Sequence, residues 1–180
     1  MKRTVVLTGV GRDRVGIVAE LTHVLYQLGC NLLDSSMTLL RGEFALIVMA
    51  ELPVEVGLSS LESSLGKIEK QLGMAIHVRE MSEEELREDT EERNSFIVSV
   101  YGADKTGIVA KVTRALADAA INITDVQTKS TGGAKKIFVM ILEVTAPAAA
   151  SVRSVEESLK KIAAELDVDL SVQALDVVEL

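Results

Sequence analysis

The chain has 180 residues, 19 Lys and Arg against 27 Asp and Glu, and a net charge of −8. Its 48% apolar and 26% charged residues are the mix of a folded globule, long enough for one medium domain or two small ones. The acidic balance excludes affinity won by neutralising phosphates, and three Phe, two Tyr and no Trp leave few platforms for stacked bases.

Residues 4–10 are a β-rich run. Residues 15–28 carry apolar side chains at 17, 18, 21, 24, 25 and 28, the stripe of an amphipathic helix, and Gly29 supplies its stop. Residues 31–40 and 44–51 read as strands joined by an Arg41-Gly42-Glu43 hairpin. Leu58, Leu61, Leu65, Ile68 and Leu72 mark a second helix, and residues 75–80 a last strand. The stretch 82–93, SEEELREDTEER, holds seven acidic and two basic residues with Leu86 as its one apolar side chain. It cannot bury a face and reads as an acidic linker between residues 1–81 and 94–180.

The second half repeats the first. Shifted by 91 residues, ten of the 24 positions from 11 to 34 are identical. Further on the best shift is 94, so three residues are inserted between Asp125 and Phe138, where Gly132-Gly133 suggests a hairpin tip. Residues 95–101 repeat the first strand, 106–119 the first helix and 168–178 the last strand. Val152, Val155, Leu159, Ile162 and Leu166 copy the second helix. Ala120 stands where the first helix has Gly29. The order β-α-β-β-α-β, twice, predicts an α+β chain of two ferredoxin-like domains, each an antiparallel sheet with helices on one face.

The repeated polar residues carry whatever chemistry there is. Asp13 and Asp104 precede a helix, as N-caps or as ligand groups. Gly16 and Gly107 fall in the first turn, where a glycine suggests close approach to the backbone and free N–H groups suit an anion. Asn31 and Asn122 open the second strand, each with an Asp, Asp34 or Asp125, three residues on. They read equally as turn residues or as holders of a small polar ligand. Residues 9–17 lack both the dinucleotide and the phosphate-loop spacing. His23 and His77 have no counterparts in the repeat, and no nucleophile elbow, HExxH or CxxC occurs. Lone Cys30 excludes an internal disulfide. No run approaches the ~18–20 apolar residues of a membrane span. The first seven residues lack the apolar core of a secretory signal, so a cytoplasmic protein without cofactor or metal is expected.

Two copies of G-x-D-[RK]-x-G-I-V-A, each followed by N-[LI]-x-D, resemble tandem ACT domains. The whole chain is similar to the glycine cleavage system transcriptional repressor family. That resemblance implies a non-catalytic regulator that binds a small amino acid, glycine- or serine-like, at interfaces between paired domains. It implies a homodimer with side-by-side pairing of the halves, and a protein partner such as a transcription factor rather than direct contact with nucleic acid or membrane. By position it points to Gly11, Asp13, Gly16, Ile17, Asn31 and Asp34, and to Gly102, Asp104, Gly107, Ile108, Asn122 and Asp125. Many members have Pro before the loop glycine; here Val15 and Thr106 stand there. A ligand-free dimeric interaction module, an RNA-binding domain pair and a small enzyme on the same scaffold are the alternatives.

Overall fold

A computed structural model describes residues 3–87, 92–132 and 136–175. The chain divides into two compact units, residues 1–88 and 89–180. The first contains β1 (Arg3–Arg12), α1 (Ile17–Gln27), β2 (Asn31–Leu40), β3 (Glu43–Leu52), α2 (Leu58–Leu72) and β4 (Met74–Glu80). The second contains β5 (Arg93–Ala103), α3 (Ile108–Asp118), β6 (Asn122–Ser130), β7 (Ile137–Pro147), α4 (Val152–Leu166) and β8 (Val168–Leu175). The sheets are fully antiparallel, in the orders β2-β3-β1-β4 and β6-β7-β5-β8. This is the expected α+β architecture, twice.

Alternation decides which sheet face is covered. Val5 and Leu7 of β1, and Leu46, Val48 and Ala50 of β3, point to the helix side and are buried. Ile17, Leu21 and Leu25 of α1 and Leu61 and Leu65 of α2 close over them. The second unit repeats this with Val98, Val100, Leu142, Leu116 and Leu159. Each fully buried leucine contributes roughly 1.5–3 kcal/mol relative to exposure.

The helix ends follow from local backbone rules. Gly29, at φ 70°, ends α1, with its N–H donating to the Tyr26 carbonyl and that of Cys30 to Leu25, a Schellman motif. The same two bonds end α3, but the left-handed position, φ 56°, is held by Ala120. Arg41 and Gly42, at φ 52° and 86°, form the two-residue turn between β2 and β3. The β6–β7 connection, which contains the expected insertion, is longer and closes through Thr131 N–H donating to Ile137 O at 2.9 Å. Gly133 of the predicted tip lies outside the described residues, as do 88–91 of the linker and 176–178 of the last strand. Within the predicted linker, the Ser82 N–H and hydroxyl and Arg79 donate to Glu85. Those bonds, the Ser82 amide first, hold the Glu85 carboxyl below its ordinary range. β5 already begins at Arg93.

Candidate functional site

Most of the repeated motif has a structural cause. A Cβ on Gly11 would stand 2.7 Å from Met74 Cγ, and one on Gly102 2.8 Å from Val168 Cγ1. Both glycines exist so that β1 and β5 can pass close to the last strand of their sheets. Gly16 and Gly107 are the N-caps of α1 and α3, at φ 99° and 94°. A Cβ at either would meet nothing within 4 Å, so the left-handed backbone, not close approach, demands glycine. This corrects the reading of Asp13 and Asp104 as N-caps. Each lies three residues ahead of the cap, and neither helix has a side-chain cap bond.

Ile17 and Ile108, expected in the site, are core residues exposed by only 2% and 1%, so only their main chain can face a ligand. The basic position of the motif was missed by sequence reasoning. Lys105 Nζ donates to the Leu166 carbonyl at 2.9 Å, which caps the end of α4. Its counterpart Arg14 likewise stands beside Gly73 at the end of α2.

What remains is polar and open. The Asp13 N–H donates to Gly42 O at 2.9 Å and the Asp104 N–H to Lys136 O at 3.0 Å, so each loop is tied to the neighbouring hairpin. Both carboxylates are exposed. Asp104 accepts a 2.7 Å bond from the Ser130 hydroxyl. Asn31 and Asn122 open β2 and β6, and a β-bulge follows each, between Leu32 and Asp34 and between Ile123 and Asp125. The bulge matters chemically. Asn31 lies opposite Glu51 and Asp34 opposite Met49, so the extra residue puts both side chains on the sheet face away from the helices. Strict alternation would have sent them to opposite faces. Asp34 Oδ1 accepts from the Ser35 N–H at 2.7 Å, and Asp125 Oδ2 from Gln127 Nε2 at 3.3 Å.

Each unit keeps the two groups apart. Asn31 and Thr4 both pair with Glu51, whereas Arg12 pairs with Glu43 beside the hairpin. Asp13 and Asn31 therefore stand at opposite ends of the sheet, on the order of 25–30 Å apart at ~3.3 Å per residue. No single unit forms a pocket from both. At the Asn31 end a cleft of about 240 Å³ is lined by Gly29, Asn31, Glu51, Pro53 and Glu55. Glu51 and Glu55 carry no repeat signal, since Thr145 and Ala149 take their places in the second unit. Cys30 beside this end is half-buried, and burial pushes its thiol up. Among the described residues, no three His, Cys, Asp or Glu side chains cluster as metal ligands. No helix of the described residues is long and apolar enough to cross a membrane.

The comparisons bear on both halves. The ACT domain pattern matches residues 3–79 and again 94–173. A UPF0237 protein of Methanosarcina mazei is 36% identical over 75 residues, 41% of this chain and 82% of that protein. One from Methanopyrus kandleri is 38% identical over 75 residues, 41% of this chain and 83% of that protein. Among solved structures, a protein of unknown role from Galdieria sulphuraria superposes with a TM-score of 0.79 at 28% identity, covering 97% of this chain and 99% of its own. A candidate glycine cleavage system transcriptional repressor superposes with a TM-score of 0.73 at 21% identity, covering 97% and 98%, a likeness of fold.

Proposed function

The chain belongs to the ACT-domain family in both halves, and from that premise we propose that it is a regulatory protein that holds a small amino acid between paired units. One observation carries the reading. Once packing, capping and backbone strain have explained Gly11, Arg14, Gly16 and Ile17, the acidic and amide side chains repeated in the two motifs are Asp13, Asn31 and Asp34, with Asp104, Asn122 and Asp125, all exposed and with no more than local hydrogen bonds. Each pair of groups lies at opposite ends of its sheet, as a site shared by two reversed units requires.

The chemistry fits a zwitterion. First-turn amides of α1 or α3 face the carboxylate, while the Asn and Asp oxygens at the far strand start face the ammonium. The ligand favours one arrangement of the units only by its difference in affinity between arrangements. The changed surface is then read by a protein partner, in the cytoplasm, and a transcription factor governing glycine cleavage is the partner proposed. The acidic chain lacks a basic recognition helix, so a signal to DNA would travel through that partner.

Calorimetric titration with all twenty amino acids, glycine and serine first, tests this. The expected result is saturable heat from one of them, lost in Asn31→Ala or Asn122→Ala. No heat from any refutes it and favours the second reading, a ligand-free interaction module, for which the exposed apolar residues of β2 speak.

A further inference from the structure

β4 and β8 close their units in sequence, and each lies at a sheet edge, next to β1 or β5. Their registers match: Ile76 lies opposite Gly9, and its counterpart Leu170 opposite Val100. In the first unit the Ile76 N–H turns away from β1 and donates to Glu69 Oε1 of α2 at 3.0 Å. That carboxylate covers the open edge of β4. In the second unit Ala163 stands in the place of Glu69 and offers the Leu170 N–H no acceptor. Alternate residues of an antiparallel strand turn their N–H and C=O to the same side, so Val168, Leu170 and Val172 all present theirs to the open edge. A groove of about 550 Å³ lies there, between α4 and β8. Its apolar floor is Ala163 with Val168 and Leu170, which pack on the core. β8 has no Lys, Arg or Pro to protect its edge.

We propose that the β8 edge docks a protein partner, and that its occupant is an extended segment of that partner, added to the sheet as a fifth strand. The proposal rests on the partner half of the function above and names where that partner is held. An added strand satisfies the open N–H and C=O groups along the whole edge. The groove then sets its side-chain pattern. Successive side chains of a strand face opposite ways, so every second one enters above Ala163, Val168 and Leu170 and is apolar. The others lie on the far face of the sheet, beside exposed Asp169. On the rim, Arg153 is held by Glu157 at 3.1 Å, which leaves Glu156 and Asp169 against Lys160. One negative charge is uncompensated, so the outward residues of the segment are basic. A second copy of this chain fits worse. It would bring its own α4 rim of Glu156, Glu157 and Lys160 up to this one, like charge against like near the two-fold axis. An extended segment brings no helix with it.

The test is a titration of the labelled full chain with a capped peptide of alternating Val and Lys, as long as the 8 residues of β8, read by amide chemical shifts. The amides of residues 168–174 are expected to move along one saturation curve. A peptide of the same composition in two blocks is expected not to saturate. Ala163→Glu restores the cover that Glu69 gives β4, and is expected to weaken binding by at least about tenfold, the loss of one or two backbone bonds, with unchanged circular dichroism. Asp169→Lys is expected to lose the Val-Lys peptide and to bind an alternating Val-Glu peptide instead. No saturation up to millimolar peptide, equal binding of the block peptide, or an unchanged Ala163→Glu overturns the proposal. So does a wild-type dimer that Ala163→Glu disperses, which would give the edge to a second copy. No amino acid ligand is present in the titration, so failure of the sensor reading stays distinguishable.

Discussion

Ala120 offers a test of the backbone argument at a position without packing to lose. It sits at φ 56° at the end of α3, in the place Gly29 occupies in α1, and it is exposed. A Cβ in the left-handed region costs about 1–2 kcal/mol. Replacement by glycine removes that strain but frees the unfolded chain, which takes back about 0.4–1 kcal/mol. Ala120→Gly is therefore expected to stabilise the second unit by about 0.5–1 kcal/mol, or about 2–8 °C for a unit of this size. Gly29→Ala is the mirror experiment. Its Cβ would stand 3.5 Å from Pro53 Cγ, an ordinary contact, so strain alone should destabilise the first unit. Urea unfolding followed by circular dichroism reads both. A neutral or destabilising Ala120→Gly would refute the assignment of strain to that residue.

Two further predictions follow from the loops and the helix pair. Gly16→Ala should destabilise by about 0.5–1 kcal/mol net without any clash, the left-handed strain less the same unfolded-chain contribution; denaturant midpoints check it. The Glu165 carboxyl is held below its ordinary range by its bond to Lys111. A carboxylate lowered in the folded state stabilises above its unfolded value and loses that contribution as pH falls through the folded one. Glu165→Gln should thus melt below wild type at pH 7, with the gap closing only as pH falls below the ordinary Glu value of about 4.3.

The fold was legible because each half states it independently. Two helical stripes and the strand runs around them recur at matched positions, so one half checks the other. The site was less legible. An Asp before an apolar stripe is the usual mark of an N-cap, but Gly16 and Gly107 in the left-handed region delay the helix start past it. Ile17 belonged to the conserved-looking motif between the repeats, yet its periodicity already placed it on the core stripe. The bulges at Leu33 and Thr124 leave no mark in composition; the N-x-x-D spacing, odd for two residues sharing a strand face, was the available signal. The distance between Asp13 and Asn31 follows from parallel β1 and β2 and needed only the topology. Glu51 and Glu55 reach the Asn31 cleft through register and loop geometry, which a repeat comparison passes over.

The central claim is a single amino acid held at a site built from both ends of the unit. Backbone amide chemical shifts of the labelled full chain, followed through titration with glycine and then serine, test it most directly. The account predicts that one of them moves residues 11–17 and 31–34 together, along one saturation curve. Saturation that moves only one end, or neither, would contradict it.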